Sequence, residues 1–461
     1  MNKAKIGLEI HGYLSTDEKL FCKCSARYMN TIVNTNICPI CTGQPGSKPM
    51  LPNKSAMDKV IAIALMLGCK VNSQFIWQRK HYDWPDMPKG YQNTISGAHS
   101  IPVAEKGNFL GIRITESHLE EDPARWDPQT GNVDYNRSGV PLIEIVTEPD
   151  FKNSKQVQRW LNQLLKMIGY IGAVDADAGL KADVNVSVNV NGKQGNRVEV
   201  KNINSIDSIT KAIDFEILRQ TELLQKGERV VMETRAYIDT TRETVSMRSK
   251  EKAQDYRFIP EPDLPIVELS KKGTEKIKSK LPELPHLKVQ RFIKQYKIDE
   301  YTAGVLTANL DIANFFEEVL EKVKDLKIVS QWVTIELLRV LNWNKKSLSE
   351  ISIKLEHFTS LLNLIKQGKV TELAAKRILN DFVPKSFNPE DKLKALSRVT
   401  DKKEIEVWCK EAMKINKKAV EDFKKGEKNS FNFLMGVVMK LSERRADSNV
   451  VREVLAKLLK K

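Results

Sequence analysis

Val184 to Val190 reads VNVSVNV, and Arg197 to Lys201 reads RVEVK. Both alternate apolar and polar residues with a period of two, so each strand offers one face to a core and the other to solvent or a site. Similar short runs, broken by Gly, Pro and Asn, extend outward from Lys5 to about Ile266, and Phe109 to Thr115 (FLGIRIT) is another. Between them stand segments with helical apolar spacing. Asn53 to Gly68 ends at a glycine, Ser154 to Ile168 has Ser154 as its expected cap, and Ser205 to Lys226 stops before Gly227. This part is therefore α+β: a mixed or antiparallel sheet with helices packed on it.

Two proline-punctuated stretches, Pro260 to Pro265 (PEPDLP) and Leu281 to Leu287 (LPELPHL), end the alternation. Helix follows helix from there, which puts a boundary near residues 270 to 285. Phe387 to Glu390 (FNPE) marks a second break. Three domains are expected: a cradle over 1–275, an all-α linker over 276–393 and a small all-α tail over 394–461. In the tail, Phe431, Phe433, Leu434, Val437, Val438 and Leu441, then Val450, Val454, Leu455 and Leu458, are spaced to form the core of a bundle.

With 461 residues, 41% hydrophobic and 29% charged, the chain has the composition of a folded globular protein of several cores. Its longest apolar run, Val60 to Leu67 (VIAIALML), is far shorter than the roughly 20 residues that cross a bilayer. The N-terminus has no apolar signal region, so no membrane span is expected and the cytoplasm is the expected location. Lys and Arg number 74 against 59 Asp and Glu, a net charge of +15. That excess suits a polyanionic partner such as nucleic acid, although a lysine-rich surface also serves solubility alone.

The sharpest local pattern is Cys22-Lys-Cys24, thirteen residues, then Cys38-Pro-Ile-Cys41. Two close cysteine pairs joined by a short loop can place four thiolates round one tetrahedral zinc, and four protein ligands leave no open position, so the expected role is structural. Disulfides are the alternative, disfavoured in a reducing compartment. Cys69 and Cys409 read as ordinary buried residues.

A second pattern is acidic. Glu9-Ile-His11 puts two side chains on one strand face, and Glu120-Glu121-Asp122 closes another strand near His118. Carboxylates converging from two strands could hold Mg2+ together with nucleotide phosphates; a solvated acidic turn beside a satisfied core histidine is the other reading. Familiar nucleotide motifs are missing: Gly43 to Lys48 (GQPGSK) has the wrong spacing for a phosphate loop, and there is no G-x-G-x-x-G. No Ser or Cys sits in a glutaminase context, so ammonia would have to come from another protein.

Taken in order, GLEIHGYLSTDEKLFCKC, CPICTGQPGSKPMLPNKSA, RKHYDWPDMPKGYQ, HLEEDPAR, DYNRSGVPLIEIVTEPD, ADVNVSV, EVKNINS and SKEKAQDYRFIPEPDLP resemble the GatB family, the B subunits of aspartyl/glutamyl-tRNA amidotransferases. ELP at Glu283 to Pro285, GKVTELAAKRIL at Gly368 to Leu379 and AVEDFKKGEKNSFNFLMGVVMKLS extend the likeness over nearly the whole chain. The resemblance implies ATP-dependent phosphorylation of the side-chain carboxylate of Glu-tRNA(Gln), Asp-tRNA(Asn) or both. Amidation then follows, with ammonia from a glutaminase A subunit in a heterotrimer that includes a small C subunit.

It implies ATP, Mg2+ and structural Zn2+ as cofactors, Glu9, His11 and Glu121 as Mg2+ and phosphate residues with Glu120 adjacent, and Lys80 near the ammonia path. Arg137, Asp183, Asn185, Glu199, Lys201 and Asn202 would line the cradle. Lys417, Lys418, Lys424 and Lys425 in the tail suit tRNA phosphates. The chain departs from the family pattern at HYDWPDMPKGYQNTI and at Lys181-Ala182-Asp183, and has no room between EPDLP and ELP for the insertion of the related E subunits. The rival readings are a zinc-stabilised tRNA-binding module without catalysis and a stand-alone ligase acting on a free amino-acid carboxylate.

Overall fold

The computed structural model describes residues 3–175, 177–201, 203, 205–249, 257–392 and 399–459. Asn202, the start of the expected tail near Lys394 and the whole KEKAQDY segment lie outside them. The chain divides into two compact units, Met1–His286 and Leu287–Lys461.

The first unit is built on a sheet of 13 strands. At its centre the strand Lys3–Tyr13 lies between Leu180–Val190 and Pro141–Thr147, antiparallel to both. Beyond Pro141–Thr147 come Ile112–Glu121, Tyr91–Thr94 and Gln78–His81; beyond Leu180–Val190 come Val198–Lys201 and, in a parallel pairing, Glu233–Ile238. Ile6, Leu8, Ile10, Ile143, Ile145, Val184, Val186 and Val200 are at most 1% exposed. They form one buried cluster with apolar residues of the helices Lys54–Met66, Ser154–Ile171 and Ile206–Gln225. Each such side chain contributes about 1.5–3 kcal/mol of burial, which fixes the register of the sheet.

The helices start where side-chain acceptors satisfy free amides. Asn53 accepts from Ser55 and Ala56, and Ser205 from Ser208. The cap of the second helix is Asn153, which accepts from Gln156 N, and not Ser154; the helix closes on Gly172 in the left-handed region, where a side chain would be strained. Cys69 is buried but lies just past the first helix. FLGIRIT is not one strand: Leu110 and Gly111 both take positive φ, making the two-residue turn of a hairpin between Ala104–Phe109 and Ile112–Glu121.

One irregularity decides which face carries chemistry. Val146 pairs with Glu116, yet Thr147 pairs with Ile114, so Thr115 is an extra residue bulged out of the strand. Ile112 and Ile114 point into the core. Without the bulge Glu116, His118 and Glu120 would follow them there; with it, Ser117 and Leu119 take the core side and the three ionisable residues turn to the opposite face.

The second unit is helical and holds two apolar clusters among the described residues. One gathers Phe292, Phe316, Trp332, Phe358 and Phe382; the other gathers Ile405, Cys409, Leu434, Val438 and Leu455 from the helices Lys402–Ile415, Lys428–Leu441 and Ser448–Leu459. Phe433, expected in that core, is 55% exposed. The folded arrangement is the expected α+β sheet domain followed by helices.

Candidate active site

Opposite the core, the same central strands present a polar face. His11 stands across from Glu144, which stands across from His118, and Glu9 stands across from Asp183, because directly opposed residues of antiparallel strands share a face. Two groups of potential ligands result. In His11, Glu120 and Glu144, and again in Glu9, Asp183 and Glu199, one atom from each residue lies within 4.8 Å of the others.

Glu144 is the hub of the first group. Its Oε2 lies 3.3 Å from His11 Nε2 and 3.0 Å from His118 Nε2. Burial alone would lower the His11 pKa, but the hydrogen bond and charge of Glu144, with Glu120 and Asp183 behind it, raise it to about 9. Burial would raise the Glu144 pKa, but its contacts with His118 and His11 hold it well below the usual carboxylate range. Glu120 is pushed up, first by burial and then by Glu144, with Lys80 among the charges that counter it. Glu9 is likewise raised by burial and by Glu144 and Glu199.

In the second group Asn185 Nδ2 donates to Glu9 Oε1 at 3.0 Å and Thr234 donates to Glu199 at 2.8 Å. Lys201 spans Asp183 at 2.5 Å and Glu199 at 3.4 Å, and its pKa is raised against burial by these carboxylates and Glu9.

The structure brings together Glu9, His11, Glu120, Asp183, Asn185, Glu199 and Lys201. It does not bring Glu121 to them. One position past Glu120 on a strand, Glu121 points the other way, and its Oε1 accepts from Asn93 N at 2.9 Å and from the Lys89 ammonium. Of the expected trio of Glu9, His11 and Glu121, His11 is gathered with Glu120 and Glu144, and Glu9 with Asp183 and Glu199. Arg137 lies 2.9 Å from the Asp122 carboxylate and donates to the Pro123 and Ala124 carbonyls at 3.0 and 2.7 Å.

Sequence reasoning undervalued Glu144 and His118. The available signal was a carboxylate inside the apolar run LIEIV, where only a paired group is tolerated.

Cys22, Cys24, Cys38 and Cys41 form a third group of the same compactness, with no disulfide. Cys38 and Cys41 sulfurs are 3.9 Å apart, close to the edge of about 3.8 Å expected of a tetrahedron with Zn–S near 2.3 Å. The Cys41 pKa is lowered to about 5, first by a hydrogen bond from Cys22 and, against burial, by the Lys19 charge. Ser138 holds the Cys41 carbonyl at 2.7 Å, and Asn34 and Asn36 tie the loop to Asp134 and Asn136. The cluster can bind a metal. In the tail, Lys417, Lys418, Lys424 and Lys425 are all exposed on or beside the helix Lys417–Lys424. No helix among the described residues is long and apolar enough to cross a membrane.

One sheet face committed to a core and the other to paired carboxylates, histidines and lysines defines an α+β enzyme component with a preassembled acidic site. Residues 4–275 match the GatB/GatE catalytic domain, and 314–459 match the GatB domain. The chain is 44% identical to a Methanococcus vannielii protein named as the B subunit of aspartyl/glutamyl-tRNA(Asn/Gln) amidotransferase, over 98% of each chain. It is also 44% identical to the proteins of the same name from Methanocaldococcus jannaschii, over 100% of this chain and 98% of the relative, and Methanobrevibacter smithii, over 97% and 98%. The chain belongs to the GatB/GatE family.

Proposed function

We propose that this chain is the B subunit of a tRNA-dependent amidotransferase, phosphorylating the side-chain carboxylate of Glu-tRNA(Gln), Asp-tRNA(Asn) or both with ATP and then amidating it. A carboxylate is too poor an electrophile for ammonia until one oxygen becomes a leaving group, and an acyl phosphate meets that need. The single observation that carries the reading is the two adjacent acidic groups built round His11 and Glu9 on the open sheet face.

The donor set fits Mg2+. Hard divalent ions take oxygen ligands, and Glu9 and Glu120 are raised because burial and neighbouring carboxylates leave negative charge undercompensated. Bound there, such an ion would draw charge from the phosphoryl group in transfer. Glu120 and Glu144, with His11, would hold it; Glu9, Asp183 and Glu199 would hold a second ion or orient the first ion's waters. Lys201 keeps the second group from mutual repulsion, and Lys80, whose charge reaches Glu120, would stabilise the acyl phosphate. Asn202 is carried as lining on the resemblance alone. Catalysis on this reading is positioning and charge stabilisation, with no covalent enzyme intermediate.

The four cysteines would hold structural Zn2+, whose apparent binding free energy of about 10–16 kcal/mol would fix a loop of little regular structure. The lysines of the tail would contact tRNA phosphates, a glutaminase A subunit would supply ammonia, and a small C subunit would complete a cytoplasmic heterotrimer. Domains 1–275, 276–393 and 394–461 would divide chemistry, linkage and tRNA holding. The zinc-stabilised binding module without catalysis gains nothing from the acidic groups, which tRNA phosphates would repel.

The test is ATP cleavage by the chain with its amidase partner, supplied with ammonium and with or without misacylated tRNA. Cleavage and amide formation that need misacylated tRNA and collapse in Glu120→Gln are expected; tRNA binding without turnover in the wild type would leave only the binding module.

A further inference from the structure

His118 takes no place in either ligand group, yet it is 2% exposed and its two ring nitrogens both face carboxylates. Nδ1 lies 3.1 Å from Glu116 Oε1 and Nε2 lies 3.0 Å from Glu144 Oε2. Glu116 is itself bonded by the Ser96 hydroxyl. The result is a continuous line, Ser96 to Glu116 to His118 to Glu144 to His11, that starts outside the site and ends in it. The Thr115 bulge turns both Glu116 and His118 onto this face.

We infer that His118 is a positioning residue for the cation site: anchored by Glu116, it fixes the rotamer of Glu144 so that this carboxylate, His11 and Glu120 converge before any ion arrives. A free glutamate has three side-chain torsions to lose on binding an ion, whereas one clamped through Oε2 has lost them on folding, which leaves Oε1 as the oriented donor. Partners of this outer kind alter metal affinity about 10–100-fold when removed. The inference rests on the reading of His11, Glu120 and Glu144 as a cation site.

The experiment titrates the purified, zinc-replete complex containing the full chain with Mn2+ without nucleotide, reading free Mn2+ by electron paramagnetic resonance, beside thermal melting. Glu120→Gln is the control for the site; if it binds Mn2+ as the wild type does, the cation site itself is wrong. With that control behaving as a lost ligand, His118→Asn is expected to bind about 10–100-fold more weakly. Its turnover should need more Mg2+ but recover the wild-type kcat at saturation. Wild-type Mn2+ affinity in His118→Asn overturns the inference. If that variant does not fold, Glu116→Ala decides: it keeps the ring and removes its anchor, and is expected to weaken Mn2+ several-fold, whereas unchanged affinity overturns the inference.

Discussion

The two faces of the central sheet are made by the same strands, in some places by adjacent residues, and they obey opposite rules. Ile10 is fully buried among aliphatic neighbours, while Glu9 and His11 on either side of it are held among like and unlike charges. Stability and chemistry are thus interleaved at single-residue spacing. The lesson is that a residue's parity on its strand says more about its role here than its type does.

The strongest way to break this comparison is to delete Thr115. Removing the bulge must send Glu116, His118 and Glu120 into the apolar core or tear the strand from its partner, and each uncompensated buried charge costs several kcal/mol. The variant is expected to be insoluble or to lack a cooperative melt by circular dichroism; a wild-type melt would disprove the parity argument. Next, Ile10→Ala should remove about 2–5 kcal/mol of stability in denaturant titrations, with turnover per folded molecule nearly unchanged. Its mirror image is Glu120→Gln, expected to reduce tRNA-dependent ATP cleavage about 100-fold or more while the denaturant midpoint holds. Equal losses of stability in this pair would erase the distinction between the faces.

The helical unit gives a contrast in which charge serves the surface. Changing Lys417, Lys418, Lys424 and Lys425 to Glu is expected to weaken tRNA binding and to flatten the plot of log affinity against log salt by about 3; unchanged affinity would remove the tail from tRNA recognition. The smallest effect is expected at Glu317. Arg291, Lys288 and Tyr296 bond it at 2.7, 3.2 and 3.0 Å, and these bonds lower its pKa to about 2 although burial opposes them. A depressed folded-state value means that the stabilisation is present above the ordinary 4.5 and fades as pH falls toward 2. Glu317→Gln should therefore cost about 1 kcal/mol at pH 7 and progressively less in acid, by melts at each pH.

Much of this was legible in the residues. VNVSVNV alternates as it folds, the four cysteines meet as their spacing demands, and the change to helices after the proline-rich stretches is real. What escaped was set by single backbone events. A bulge at Thr115 selects Glu120 over Glu121, and composition cannot show a bulge. A turn at Leu110 and Gly111 splits FLGIRIT because hairpin pairing outweighs the poor fit of leucine to positive φ. Phe433 satisfies the helical period of the tail, yet its neighbours Leu434 and Val438 take the core. The hub role of Glu144 needed the third strand, since its partners come from positions 11 and 118.

The pairing of the first strand carries a consequence in time. Glu9 lies opposite Val146 on one side and Asp183 on the other. A ribosome adding about 5–20 residues per second takes roughly 10–35 s to pass from Glu9 to Asp183, with further delay before Asp183 clears the exit tunnel. Glu9 and His11 are therefore made well before the strand that completes their surroundings. Through that interval one edge of the strand Lys3–Tyr13 must wait unpaired, so the nascent chain's exposure to mispairing or capture by chaperones is concentrated there.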